Sequence, residues 1–126
     1  MAFVAANTDL KERTKQFALR ILRLYQALPR REESRVLGKQ LLRSGTSVGA
    51  NYRAACRGRS RAEFVAKLGI VLEEADETVF WLELLQESGI VSTQKLESLV
   101  QEARELTAIF TTSICTAKGM PQEKGL

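Results

Sequence analysis

Seven basic side chains near the middle of the chain have the types and spacing that suit one chemistry, the binding of phosphate groups. At roughly 100° per residue, those between residues 35 and 57 fall within a sector of about 80° on one helix face, and two more follow directly. They are Arg35, Lys39, Arg43, Arg53, Arg57, Arg59 and Arg61. Because lysine and arginine on one face can contact a run of phosphates, the pattern predicts a surface for the backbone of RNA or DNA. Only Tyr52 lies among them as a ring on which a base could stack, so we expect weak sequence specificity.

The distribution of charge along the chain allows a second use for the same arginines. Residues 1–62 hold 14 Lys and Arg against 4 Asp and Glu, a net charge of +10, and residues 63–126 hold 5 against 11, a net charge of −6. Such separation fits either a basic surface offered to a polyanion or two halves that neutralise each other across a contact. The arginines could therefore pair with the acidic side of a neighbouring third helix. The sequence leaves both interpretations open.

For catalysis the sequence offers few suitable residues. The chain has no histidine, and its 2 cysteines, Cys56 and Cys115, lie far apart, so we expect no zinc site. It contains neither a Gly-x-Ser-x-Gly nucleophile motif nor a phosphate-binding P-loop. Glu73 and Glu77 lie one helical turn apart, but without a Glu-x-x-His motif the acidic residues do not form the di-iron pattern of helical bundles. We therefore expect a non-enzymatic protein with no catalytic residue, metal or cofactor.

Long helices are needed to position these side chains, and the sequence predicts four. The chain of 126 residues is expected to form one domain, residues 1–126, and it contains only 2 prolines. Helix-start and helix-stop signals place the helices at about 9–28, 34–57, 60–88 and 92–117. Short connections between helices of this length predict an all-α fold, an antiparallel up-down four-helix bundle. We expect residues 1–8 to fray and the C-terminal tail beyond Gly119 and Pro121 to be loose.

The helix ends are marked by residues of recognisable type. Two pairs have the spacing of a capping box at a helix start: Asp9 with Glu12, and Ser60 with Glu63. Pro29 ends the first helix, because the residue before a proline avoids helical geometry. Gly89 is expected to end the third helix, and Ser92 can cap the fourth.

Three glycines, Gly38, Gly45 and Gly49, cluster on one side of the predicted second helix, beside its apolar stripe. A glycine inside a helix costs about 0.8–1 kcal/mol relative to alanine, so three on one side indicate a close approach to another backbone. The alternative is a turn at residues 44–47 between two shorter helices. The angular sorting keeps one register on both sides of Gly45, which favours one continuous helix. We expect this stripe to contribute to an oligomer interface.

The predicted third helix carries a second apolar sector, apart from its core face: Ile70, Phe80, Trp81 and Leu84. Acidic residues flank this sector, and a lone bundle would expose it to water. Large exposed apolar patches mark contacts, and aromatic residues are enriched in interfaces, so we expect the patch to be a subunit interface. In the alternative, the two aromatic residues lie over the bundle edge as partly buried boundary residues.

The run LLRSGTSVGANYRAA at residues 41–55 carries a family likeness. It is followed by Ser60, Glu63-Phe64, Lys67-Leu68, EADET at residues 74–78, and Trp81-Leu82. Together these residues closely resemble the bacterial proteins encoded in intervening sequences of 23S ribosomal RNA genes, over about residues 17–118. The resemblance implies a four-helix bundle that assembles as a homopentameric ring. A more distant relative is the accessory variability protein of diversity-generating retroelements, a basic pentamer that binds nucleic acid and partners a reverse transcriptase.

We expect a cytoplasmic protein, because the sequence shows no signal-peptide pattern, no membrane span and no disulfide framework. Its expected function is that of a homo-oligomer that binds RNA or DNA through the basic face of the second helix. The alternative is a structural or adaptor oligomer that binds a protein partner and uses the arginines in subunit contacts.

Overall fold

The computed structural model describes residues 8–125, and within them the side chains of residues 10–119. Four helices follow one another: α1 Thr8–Ala27, α2 Glu32–Cys56, α3 Arg61–Glu87 and α4 Thr93–Gly125. Each helix packs on the next along the chain, and no strand occurs in the described residues. Helices α1 and α2 are antiparallel: Leu28, just past the end of α1, lies against Gly38 near the start of α2, while Thr14 lies against Gly49 near its end. The predicted all-α four-helix bundle is confirmed.

The predicted helix boundaries agree with the first three helices to within two residues, because local signals act as expected. The Ser60 side chain accepts a hydrogen bond from the Glu63 backbone N–H at 3.1 Å, and the Glu63 carboxylate accepts one from the Arg59 N–H at 2.6 Å. Past the end of α3, Gly89 adopts a φ of +80°, a conformation that favours glycine. Ser92 accepts from the Lys95 N–H at 3.3 Å and so caps α4.

The end of α4 differs from the prediction. The helix was expected to end near residue 117, but it continues to Gly125, through Gly119 and Pro121. In a helix interior, glycine is less favourable than alanine by about 1 kcal/mol and proline by about 3 kcal/mol. Either residue therefore weakens a helix without preventing it. The side chains of residues 120–125 lie outside the described part of the structure. So do residues 1–7, for which fraying was predicted, and the Asp9 side chain, for which a capping box was predicted.

Helix α2 is continuous through Gly45, so the alternative of a turn at residues 44–47 is excluded. Its three glycines are buried against α1 of the same chain. A Cβ atom on Gly45 would lie 2.8 Å from Cγ1 of Ile21, and one on Gly38 would lie 2.7 Å from Cδ1 of Leu28. The predicted approach of another backbone occurs at Gly49, where a Cβ atom would lie 3.4 Å from the backbone C atom of Thr14, whereas side chains lie against the other two. The assignment of Gly38, Gly45 and Gly49 to an oligomer interface is corrected. Residues of α1 and Leu28 already pack against these glycines within the subunit.

The core lies between the four helices and is filled by large apolar side chains that are fully buried. Among them are Phe17, Ile21, Leu41, Val48, Tyr52, Leu68, Leu82, Leu85, Leu106 and Phe110. A polar contact crosses the core, where the Thr78 hydroxyl donates to the Ser44 hydroxyl at 2.9 Å. Satisfied polar pairs of this kind fix the register of α2 against α3.

Long charged side chains join α1 to α4. The Arg13 guanidinium donates two hydrogen bonds to the Glu102 carboxylate, at 2.8 Å and 2.9 Å, and a third to Glu105 at 2.8 Å. A second link runs from Arg20 to the Ser98 hydroxyl at 2.7 Å. Paired bonds from one guanidinium to one carboxylate are geometrically specific, so Arg13 sets the position of α1 beside α4.

Candidate nucleic-acid interface

The structure places the seven basic residues predicted for nucleic-acid binding on α2, in the connection after it and at the start of α3. All seven are exposed. Six of them form no ion pair with any other residue in the described part of the chain: Arg35, Lys39, Arg53, Arg57, Arg59 and Arg61. Their charges are therefore available to an anion from solution.

Arg43 is the exception among the seven. Its Nη1 atom lies 3.1 Å from the Glu74 carboxylate, and its Nη2 atom contacts the Glu77 carboxylate. Both acids belong to α3 of the same chain, so the pairing of arginines with an acidic third helix occurs here inside one subunit. Arg43 is thus part of the α2–α3 contact, and its predicted role in phosphate binding stays a prediction.

The pairing of Arg43 divides the basic face into two clusters near opposite ends of α2. Between residues 35 and 53 a helix rises by about 27 Å, which leaves the two clusters well separated. We call the one around Arg53 the groove cluster and the one around Arg35 the corner pocket. The basic surface is therefore two sites with a neutralised stretch between them, and not the continuous stripe that helical geometry predicted.

The groove cluster consists of Lys11 and Lys15 from α1 with Arg53 from α2. These three residues line a shallow groove of about 190 Å³. Small residues complete its lining: Ala18, Thr46, Gly49 and Ala50. The two lysines were missed by sequence reasoning, because they lie on another helix. Two signals in the sequence could have indicated them: the four-residue spacing that puts both lysines on one face of α1, and Gly49, which lets α1 approach α2 closely.

The corner pocket lies where α1 turns into α2, and its volume is about 390 Å³. Four basic residues line it: Arg30, Arg31, Arg35 and Lys39. Arg30 and Arg31 belong to the connection between the helices, outside the helix face on which the basic residues were predicted. The pocket lining contains no acidic residue.

On α3, the four residues predicted as a subunit interface divide into two pairs. Phe80 and Ile70 are 50% and 40% exposed. Trp81 and Leu84 are half-buried, and the Trp81 ring meets the Phe80 ring edge-on with centroids 4.9 Å apart. Trp81 packs on the core, as expected of a partly buried residue at the bundle edge. Phe80 and Ile70 leave apolar surface open to water.

The indole of Trp81 also fixes a carboxylate beside this patch. Its Nε1 atom donates to Glu77 at 3.0 Å. This hydrogen bond, followed by the hydrogen bond from Arg43, lowers the pKa of Glu77 below its usual value. Glu77 therefore stays ionised and connects the aromatic pair to the α2–α3 ion pair.

In the part of the chain that the structure describes, no group of three or more histidine, cysteine, aspartate or glutamate side chains could hold a metal ion. Within the same residues, no helix combines the length and apolar character required to cross a membrane.

Comparison with known proteins gives the family. Residues 6–112 match the family described as 23S rRNA-intervening sequence protein. The chain belongs to this family. A solved structure from Bacteroides thetaiotaomicron, described as a protein with unknown function from the S23 ribosomal protein family, is similar at 41% identity and a TM-score of 0.77. The match covers 82% of this chain and 96% of that one. No curated protein matches the chain.

Proposed function

We propose that this member of the 23S rRNA-intervening sequence protein family is a non-enzymatic homo-oligomer of the cytoplasm that binds the backbone of RNA or DNA. The observation that carries the proposal is the groove cluster, where three cations from two helices meet around small side chains and form no ion pair with the described residues. Arg57, Arg59 and Arg61 follow Arg53 in the chain, are exposed, and their side chains form no ion pair within the described part. Together they supply a basic end of the molecule.

The floor of the groove suits a phosphate chain better than bases. Gly49 and Ala50 carry no long side chain, so a sugar-phosphate backbone can approach while Lys11, Lys15 and Arg53 contact it from both sides. Tyr52, the ring on which a base could have stacked, is only 1% exposed. Contacts to phosphates position a protein without reading sequence, so the proposed binding is weakly sequence-specific.

The proposed assembly uses Phe80 and Ile70, whose exposed apolar surface a second subunit would cover. The number of five subunits comes from the resemblance noted in the sequence. Repetition of the groove cluster around a ring increases affinity, since each further contact on one nucleic-acid strand is made at high effective concentration.

A pair of charge reversals tests the binding. In Arg53→Glu, Arg57→Glu we expect loss of binding to fluorescent single-stranded RNA and DNA of unrelated sequence, measured by anisotropy at several salt concentrations. Lys95→Glu, Lys118→Glu is the matched control, since it reverses two exposed charges on α4 and gives the same net charge. Equal losses in the two variants would show an effect of net charge alone, and undiminished binding in the first would contradict the proposal.

A second candidate function is that of a structural or adaptor oligomer with a protein partner. The ion pairs of Arg43 with α3 favour it, because they show that this basic face can be used in packing. Here Arg53→Glu, Arg57→Glu is expected to dissociate the assembly, and nucleic acid is expected to bind weakly even at low salt. Light scattering on the same variants distinguishes the two functions, since nucleic-acid binding predicts an intact oligomer. Phe80→Glu provides the reference for a dissociated state.

A further inference from the structure

The corner pocket contains a polar side chain that lacks a partner. Ser34 is 0% exposed, it lines the pocket, and its hydroxyl has no hydrogen-bond partner among the described residues. A buried hydroxyl left without a partner is unfavourable, and such groups are few in folded proteins. A partner bound in the pocket would satisfy it once the Ser34 side chain turned toward the opening.

The start of α2 adds further donors at the same place. Arg31 occupies the N-cap position but makes no side-chain cap. The backbone N–H groups of residues 32–34 have no acceptor in the described part of the chain. Free N–H groups and the helix dipole make the start of a long helix attractive to anions.

The charges around the pocket match a doubly negative group. The lining of the corner pocket contains four basic residues and no acidic residue, although Glu32 and Glu33 lie in the first turn of α2. Both acids are exposed outside the lining, and Glu33 contacts Arg31 only at 3.9 Å. Guanidinium groups bind phosphate oxygens through paired hydrogen bonds, so several oxygens can be bound at once.

We propose that the corner pocket binds a nucleotide through its terminal phosphate monoester. The phosphate lies at the start of α2 among the four cations and takes a hydrogen bond from Ser34. Because that hydroxyl is sealed from solvent as the structure stands, binding requires Ser34 to rotate toward the pocket. Tyr25 and Leu28 form an apolar wall for the base or sugar. This site goes beyond the proposed backbone binding, since it lies near the opposite end of α2 from the groove cluster.

Calorimetric titration with 5′-AMP tests the proposal, with adenosine and inorganic phosphate as reference ligands. We expect 5′-AMP to bind more tightly than either. Ser34→Ala is expected to weaken 5′-AMP about tenfold, since a hydrogen bond to a charged group is lost, and Arg35→Gln is expected to weaken it by a similar factor. Lys118→Gln, the control, leaves the affinity unchanged. Absence of 5′-AMP binding at millimolar concentration, or equal affinity in all four proteins, would overturn the proposal.

A stability measurement separates binding from folding. Ser34→Ala removes an unpartnered buried hydroxyl, so the variant should be at least as resistant to urea as the parent. A large loss of urea resistance would show that the hydroxyl is used inside the fold, and would count against the site. Equal affinity for inorganic phosphate and 5′-AMP would contradict the role of the Tyr25 wall.

Oligonucleotides identify the source of the phosphate. If the pocket takes a strand end, a 5′-phosphorylated strand binds more tightly than its 5′-hydroxyl counterpart, and Ser34→Ala removes the difference. If the two strands bind equally while 5′-AMP still binds, the ligand is a free nucleotide. Arg53→Glu, Arg57→Glu keeps 5′-AMP binding in either case, so failure of the groove cluster and failure of the corner pocket are distinguishable.

Discussion

Replacing a single glycine of α2 by alanine should reveal how tightly α1 packs against it. In Gly45→Ala the new Cβ atom would lie 2.8 Å and 2.9 Å from the two Cγ atoms of Ile21. Carbon atoms pack best at about 3.5–4.0 Å, so the helices must separate by about 0.7 Å or more. Ile21 is fully buried and branched, and it cannot move aside.

The expected change combines two opposing effects. Alanine is more favourable than glycine inside a helix by about 1 kcal/mol, and overpacking a core costs about 1–3 kcal/mol. The free energy of unfolding of Gly45→Ala should therefore fall by about 1 kcal/mol. Gly69→Ala in α3 is the matched control, because its Cβ atom meets no neighbour within 4 Å. This variant should gain about 1 kcal/mol, which makes the difference between the two about 2 kcal/mol.

Urea unfolding of both variants, followed by circular dichroism, measures this difference. A double-mutant cycle with Ile21→Ala assigns it to the contact, since that change removes both Cγ atoms and leaves the Ile21 Cβ atom at 3.2 Å. In the Ile21→Ala background, Gly45→Ala should become stabilising as its methyl group fills part of the cavity. If Gly45→Ala stabilises the parent as much as Gly69→Ala does, the close packing of α1 on α2 is refuted.

Two further predictions concern the ion pairs. Glu102→Gln should lower the free energy of unfolding, measured by urea titration, by about 1 kcal/mol, because it weakens the two part-buried hydrogen bonds from Arg13. Glu105→Gln should lower it by less. Equal effects of the two variants would contradict the conclusion that Glu102 is the more important partner of Arg13. The pKa of Glu77 is lower in the folded protein than its usual value of 4.5. The ionised Glu77 carboxylate therefore stabilises the fold above pH 4.5, and this stabilisation is lost as the pH falls through the pKa of the folded state. Since Trp81 is the only tryptophan and donates to Glu77, its fluorescence should titrate below pH 4.5, and a transition retained in Glu77→Gln would show that another group causes it.

Most of the fold could be predicted because its signals are local. Capping residues, Pro29 and Gly89 act over one or two turns of chain, and the helix boundaries they mark agree with the structure to within two residues in α1, α2 and α3. At the end of α4 the same type of signal gave a wrong prediction. Gly119 and Pro121 disfavour a helix without forbidding one, so residue type alone did not fix the boundary.

The candidate site could be predicted only in part, because it depends on which helices are neighbours. The glycine stripe predicted a close approach, but a periodic pattern does not name the partner, and the partner is α1 of the same chain. Arg43 has the same helical position as its neighbours in the stripe, and only the packing of α3 shows that two carboxylates reach it. Lys11 and Lys15 join Arg53 for the same reason, through the packing of α1 on α2.

The slope of nucleic-acid affinity against salt concentration tests the groove cluster most directly. Each phosphate contact with a single strand contributes about 0.7 to the slope of log K against log salt. We expect Lys11→Gln, Arg53→Gln to reduce the slope by about 1.4 while the oligomer stays intact. Lys95→Gln, Lys118→Gln, which removes the same charge from α4, should leave the slope unchanged. A slope in Lys11→Gln, Arg53→Gln equal to that of the parent would contradict phosphate binding between α1 and α2.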